Sequence, residues 1–265
     1  MPQVLIGFLL GALIALLSFR VGALSRSGAL AAAISGGLVF GLGGLPWAAL
    51  LLTFFISSSA LSRIFPRRKL ALREKFSKGS RRDWGQVLAN GGLGAVLVLL
   101  QAFLPGATWP WVAFAGAMAA VNADTWATEL GVLSPTPPRL VTSLKSVERG
   151  ASGGISLLGS LAALLGAALV AVVASLFSKG PYFTSFLGAL VLAGLAGSFF
   201  DSLLGATIQA IYWCPACQKE TERFPNHLCG TGTVHLRGWR WLDNDWVNFL
   251  ASLAGALVAV GIWGL

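Results

Sequence analysis

The chain has 265 residues, of which 55% are hydrophobic and only 11% charged, and 33 are glycine. A soluble domain carries about a quarter charged residues, so the composition excludes a soluble globular protein and points to an integral membrane protein. The net charge of +9 is read as topology and attraction to anionic lipid, and gives no reason to expect nucleic acid.

The apolar runs match the roughly 20 residues an α-helix needs to cross a bilayer core. Backbone groups there must be satisfied within helices, and the alternation of a β-barrel is absent. In chain order the runs cover roughly 4–19, 28–43, 46–62, 86–104, 108–131, 154–177, 183–211 and 246–264. They predict an all-α, polytopic membrane protein with about six to eight transmembrane helices in a single domain. The first run lacks a basic residue before it and has Arg20 after it, so it reads as a span with its N-terminus outside rather than a signal peptide. "GLGGLP" at Gly41 to Pro46 either separates two spans or breaks one long re-entrant helix. With eight spans, 18 of the 19 Lys and Arg residues fall on one face, and only Lys179 lies opposite. The positive-inside rule makes that face cytoplasmic and both termini external, in a plasma or thylakoid-type membrane.

The basic loop 63–85 carries nine Lys and Arg residues, Arg67, Arg68, Lys69 and Arg73 among them. It reads as a topology determinant and headgroup anchor, or as a phosphate-receiving surface, for which Arg81 and Arg82 stand nearest the next helix. That helix opens with "QVLANGG". Asn90, Gly91 and Gly92 there form a packing notch or part of a polar site.

Ionisable residues inside a span are expensive and mark function by default. Asp124 lies in the fifth segment with Asn122, Thr125, Thr128 and Glu129 nearby. At about 100° per residue Thr128 shares the face of Asp124, whereas Glu129 is offset by about 140°. The two acids can meet at one ion only if the helix ends or unwinds near Gly131. Asp201 repeats the theme, with Ser198, Gly205 and Gln209 on its stripe. "WLDNDWVN" adds Asp243, Asn244, Asp245 and Asn248 at the entry to the last span, where Asp245 also resembles a helix N-cap. Hard oxygen ligands of this kind suit Mg²⁺, which bridges one or two carboxylates to substrate phosphates. The loop "TSLKSVERGASGGIS" contributes Lys145 and Arg149 and a glycine-rich turn whose N–H groups can bind phosphate. Together these are the parts of phosphoryl transfer.

All three cysteines lie in the loop 213–244, spaced Cys214-x2-Cys217-x11-Cys229, with His227 beside the last. In a reducing compartment a disulfide is not expected. The cysteines are either unligated thiols or, with His227 or His235 as fourth ligand, a structural zinc site.

The stretches "ADTWATELGVLSPTPPRLVTSLKSVERGASGGIS", "QVLANGG", "LLGATIQ" and "LDNDWVNFLAS", in that family's order, resemble the membrane family that contains phytyl-phosphate kinase and transmembrane protein 19. That family is related to CTP-dependent polyprenol and phytol kinases. The resemblance covers about residues 80–260. It implies a Mg²⁺-dependent phosphotransferase passing the γ-phosphoryl of a nucleoside triphosphate, CTP or ATP, to an isoprenoid monophosphate. The matching positions are Asn90, Gly91, Gly92, Asp124, Thr125, Glu129, Lys145, Gly153, Gly154, Asp201, Asn244 and Asn248. Where the family has Gly-Thr-Asn-Gly-Gly, this chain has Gly150-Ala151-Ser152-Gly153-Gly154, which leaves a backbone role. Asp124, Glu129 and Asp201 are thus expected to bind metal, and Lys145 and Arg149 to contact phosphates. Asn90, Asn244, Asp245 and Asn248 would complete the cleft. Two other readings are a CDP-lipid-forming cytidylyltransferase, which shares the need for paired acids, and an ion-coupled transporter, which predicts acids near the midplane and an inverted repeat.

Overall fold

The computed structural model describes residues 2–64, 74–178 and 183–263. Arg67, Arg68, Lys69, Arg73 and Lys179 lie outside the described residues. Among the described residues, seven helices make up the body: α1 (Pro2–Arg20), α2 (Arg26–Arg63), α3 (Trp84–Phe103), α4 (Trp109–Gly131), α5 (Leu157–Ser175), α6 (Phe183–Thr207) and α7 (Asn244–Trp263). Two short strands, β1 (Arg139–Leu140) and β2 (Gly154–Ile155), pair antiparallel between α4 and α5. Between α6 and α7, β3 (Ile211–Cys214), β4 (Lys219–Thr221) and β5 (Val234–Arg237) form a sheet of order β4-β3-β5.

A straight helix of the 38 residues of α2 would run about 57 Å, roughly twice a hydrocarbon core. It does not stay straight. Gly44 takes φ 70°, which a residue with a side chain rarely adopts, and Pro46 follows. The chain reverses there. Arg82 ties the two ends together: its carbonyl accepts from Ser25 N–H near the start of α2, and its guanidinium donates to Ser58 and Ser59 near the end. "GLGGLP" therefore separates two antiparallel rods, and the eight apolar segments of the sequence become eight rods.

Six of the seven helices are long and apolar enough to cross a membrane. The exception, α4, has the most protected position, with Pro110 and every residue from Val112 to Ala123 buried. It packs against α2, α3, α5, α6 and α7. Small residues let the backbones approach closely, as in membrane bundles generally. Gly116 of α4 faces Gly255 and Ala259 of α7, Gly194 and Gly197 of α6 face Ala119 and Ala120, and Gly166 of α5 faces Asn122 and Trp126. Asn122 is satisfied in this core: it accepts from Ser57 and donates to Gly166 O.

Capping fixes where the rods begin. Ser25 caps α2, Asp83 and Gln86 form a capping box on α3, and Ser156 caps α5. At α7 the cap is Asp243, whose Oδ1 accepts from the N–H groups of Asp245 and Trp246. Asp245, read from sequence as an N-cap candidate, is thereby available for other work.

The connections 74–83, 132–156 and 208–243 meet at one end of the bundle. Lys75 pairs with Glu148 and Lys219 with Glu74, Thr221 Oγ1 donates to Glu74 O, and Arg237 donates to Gly205 O.

Candidate functional site

Where these connections meet the ends of α3, α4, α6 and α7, the structure encloses a cavity of ≈ 670 Å³. Among the residues singled out from sequence, Arg82, Asn90, Asp124, Glu129, Arg149, Gly153, Gly154, Asp201, Asn244 and Asn248 line it, with Thr125, Thr128, Ser198 and Gln209 beside them. Residues up to 166 positions apart thus reach one volume because α4, α6 and α7 pack through small residues and bring their acidic ends together.

Asp124 and Asp201 are the centre of the site. Asp201 lies within electrostatic range of Asp124 and of Glu222. Its Oδ2 is buried with no hydrogen-bond partner among the described residues. Buried polar atoms are normally paired, and an orphaned oxygen in a cluster of acids is one that a bound cation would satisfy. Mg²⁺ fits this donor set, which is made of hard oxygens beside space for further ligands.

Glu129 sits differently. Helix α4 stays regular to Gly131, so the 140° offset persists and Glu129 turns toward the end of α2. It accepts from Ser62 Oγ at 2.5 Å and is an electrostatic neighbour of Arg82. The Arg82 guanidinium is anchored by Ser58 and Ser59 and lies over Phe54 and Phe55. Burial pulls Arg82 below the usual arginine range, and Glu129 opposes that pull.

Lys78, which sequence reasoning counted only among the loop's basic residues, supplies a cation on the cavity wall. Its Nζ donates to Asp83 at 3.0 Å and to Asp245 at 2.5 Å. Burial works against its charge, but hydrogen bonds to Asp245 and Asp83 outweigh it and hold Lys78 above the ordinary lysine range. Asp245 therefore reaches the site through Lys78. Asn90 and Asn248 each donate to the carbonyl one turn back, Gln86 O and Asn244 O, which leaves their carbonyl oxygens and second amide hydrogens for a ligand.

The glycine-rich turn is held by packing. Gly153 takes φ 79° and rests on Ala206 of α6, where any side chain would collide with backbone. The Gly154 N–H is committed to Ala151 O. Ser152 Oγ donates to Gln209 Oε1, Gln209 Nε2 donates to Glu222 Oε1, and Ser77 N–H donates to Glu222 Oε2. This chain of bonds stitches three connections around the cavity. Burial raises Glu222 above the ordinary carboxylate range, partly opposed by the Ser77 and Gln209 donors. Glu222, Arg223, Gln86, Ser62 and Lys78 all line the cavity and were not assigned to it from sequence. They lie in polar connections or helix ends, where no apolar background makes a polar residue conspicuous.

Four of the sequence candidates lie elsewhere. Lys145 is exposed in the turn between β1 and β2 and does not line the cavity. Arg81 donates to Leu24 O and lies over Phe19. Gly92 faces Leu88 of its own helix. Gly91 lines a second, apolar crevice of ≈ 70 Å³ between α1, α2 and α3, whose wall shares Arg82, Gln86 and Asn90 with the polar cavity.

The cysteine loop folds as a β-ribbon. Cys214, Cys217, His227 and Cys229 place one ligand atom each within 4.8 Å of one another. His235 does not join them: its Nε2 contacts Gly238 O and its ring stands edge-on to Tyr212. Of the two histidines left open by the sequence, His227 is the one at the cluster.

The profile of the family described as Integral membrane protein DUF92 matches residues 9–256. Protein PGR of Arabidopsis thaliana is 33% identical over 95% of this chain and 93% of its own. Uncharacterized membrane protein MJ0933 of Methanocaldococcus jannaschii is 28% identical over 98% of this chain and 94% of its own. Protein VTE6, chloroplastic, of Arabidopsis thaliana is 26% identical over 91% of this chain and 65% of its own. No solved structure gives a significant match.

Proposed function

The chain belongs to the DUF92 family of integral membrane proteins, and we propose that it is a membrane kinase of an isoprenoid monophosphate. The reaction would pass the γ-phosphoryl of a nucleoside triphosphate, CTP by the family resemblance, to a phytyl or geranylgeranyl-type phosphate. The observation that carries this reading is the cavity whose wall brings the half-buried Asp124 and Asp201 together with Lys78, Arg82 and Arg149, beside an apolar crevice that shares part of that wall. Phosphoryl transfer needs little covalent help and much charge neutralisation and positioning.

Asp124 and Asp201 would hold the Mg²⁺ that accompanies the nucleotide, and the ion when bound would neutralise phosphate charge. Lys78, Arg82 and Arg149 line the same wall and would orient the two phosphate groups and screen their repulsion. An oxygen of the acceptor monophosphate would form the new P–O bond as the bond from the γ-phosphorus to the β–γ bridging oxygen breaks, giving the lipid diphosphate and a nucleoside diphosphate. A phosphate monoester is already anionic near neutral pH, so no general base is required, and holding donor and acceptor in line supplies the advantage. The acceptor phosphate would sit near Arg82, Gln86 and Asn90, with its tail entering the apolar crevice and continuing between helices into lipid. The basic end of the bundle would face the cytoplasm or the equivalent side of a thylakoid-type membrane.

The test is incubation of the purified protein with Mg²⁺, labelled CTP or ATP, and phytyl or geranylgeranyl phosphate, with Asp124→Asn as control. A lipid diphosphate formed by the wild type and lost in the variant supports the reading. Equal product from both removes Asp124 from the mechanism.

A further inference from the structure

The β-ribbon carries four residues that the phosphoryl-transfer reading does not use. Cys214 and Cys217 flank the turn from β3 to β4, and His227 and Cys229 sit in the loop from β4 to β5. That loop is closed by His227 N–H to Thr231 O and Gly230 N–H to His227 O, each 2.9 Å. The sulfurs of Cys214 and Cys229 are 3.6 Å apart. His227 Nδ1 is 3.5 Å from Cys217 Sγ and 3.3 Å from Cys229 Sγ.

These spacings discriminate between chemistries. A disulfide would put two sulfurs at about 2.05 Å, and no pair is near that. A tetrahedral Zn²⁺, with Zn–S of about 2.3 Å and Zn–N of about 2.0–2.1 Å, separates two sulfurs by about 3.8 Å and a sulfur from a nitrogen by about 3.6 Å. The cluster has that size before any ion enters it. Soft thiolates with one imidazole select zinc over the hard cations suited to the acidic cavity, and four protein ligands leave no open position for catalysis.

The ribbon also reaches the cavity. Directly after β4 come Glu222 and Arg223, both on the cavity wall. Glu222 N–H donates to Lys75 O at 2.8 Å, Thr221 Oγ1 donates to Glu74 O at 2.7 Å, and Ser77 N–H donates to the Glu222 carboxylate. The segment 74–78, which ends in the cavity cation Lys78, therefore leans on β4.

We propose that Cys214, Cys217 and Cys229 as thiolates, with His227 through Nδ1, bind one structural Zn²⁺ that fixes the ribbon and thereby holds Glu222 and the segment carrying Lys78 on the cavity wall. Binding displaces the thiol protons to solvent and leaves a closed site of three thiolates and one neutral imidazole around a dication. Glu222 is in this account a positioning residue. The inference is independent of the reaction the cavity catalyses.

The test uses the full-length protein purified in detergent without added chelator. Elemental analysis is expected to find zinc equimolar with the chain, and replacement by Co²⁺ to give the visible absorption of a tetrahedral thiolate site. Cys217→Ser and Cys229→Ser should each lose the zinc, Cys229→His should retain it, and His235→Ala should be unaffected. Amide exchange supplies a readout that metal content alone does not: chelation should speed exchange at the Ser77 and Glu222 N–H groups while leaving the amides of α4 unchanged. Wild-type protein that is folded, metal-free and fully reactive with thiol reagents would overturn the site, as would zinc retained in both serine variants. Unchanged exchange at Ser77 and Glu222 after zinc removal would overturn the positioning role.

Discussion

Replacing Asp201 with asparagine should make the ligand-free protein more stable while destroying its activity. Asp201 has two acidic neighbours, Asp124 and Glu222, and a buried oxygen without a hydrogen-bond partner among the described residues. A negative charge held there without its cation is a cost in the empty protein. The amide keeps the shape and removes one member of the acidic cluster, which should raise unfolding stability by about 1–2 kcal/mol, taking an effective dielectric near 20 for charges at a polar cavity. For a bundle of this size that is a rise of a few degrees in midpoint. The same change removes one of the two carboxylates assigned to the metal nucleotide, and should lower kcat/KM by at least about 100-fold, or ~2.7 kcal/mol. Thermal unfolding in detergent, with and without Mg²⁺ and nucleotide, reads both effects. The wild type should gain stability on adding Mg²⁺ and nucleotide by mass action, and the variant should not. A variant that is less stable when empty yet binds and turns over normally would refute the reasoning, because Asp201 would then be a satisfied packing residue.

Lys78→Met should weaken nucleotide binding, with KM rising about tenfold or more, whereas Lys145→Met, in an exposed turn, should stay within about twofold. The reverse ranking would return the phosphate contact to the β1–β2 turn. A side chain added at Gly91 meets nothing within 4 Å, so Gly91→Leu should fold normally and fill the apolar crevice. It should raise KM for a long-tailed acceptor and leave KM for nucleotide unchanged, and an equal effect on both would place the tail elsewhere. Glu222, raised by burial, binds its proton more tightly folded than unfolded, so its contribution to stability falls as pH rises from its ordinary 4.5 through its raised value. Glu222→Gln should flatten that decline in unfolding midpoint against pH, and a slope identical to wild type would contradict the cause assigned here.

The bilayer is the reason so much of the fold could be read in advance. A spanning segment must satisfy its own backbone and present apolar side chains to lipid, so eight runs announced eight rods. The turn at Gly44 could not be settled from "GLGGLP" alone, since a broken helix and a hairpin need the same residues; the antiparallel contact through Arg82 decides it. Asp124 and Asp201 stood out because charges inside spans are rare. Lys78 and Glu222 did not, because in a polar connection a charged residue is ordinary, and only folding back over the helix ends buries it. Lys145 belongs to a motif that reaches the site, but in the β1–β2 turn its own side chain is exposed. At the cysteine loop, spacing brought three thiols and two histidines into view, while which histidine stands at the cluster depended on ribbon pairing that puts His235 on β5 against Tyr212. The N-cap of α7 shows the same limit, since Asp243 and Asp245 are equally suitable by type and only geometry assigns the cap to the first.

The central claim is that phosphoryl, and not nucleotidyl, is transferred. The most direct measurement follows two labels through one reaction, CTP carrying one radioisotope at the α-phosphate and another at the γ-phosphate, with phytyl phosphate as acceptor and Mg²⁺ present. The account predicts that the γ-label appears in the lipid diphosphate while the α-label remains in water-soluble CDP. Appearance of the α-label in the lipid product with release of pyrophosphate would contradict it.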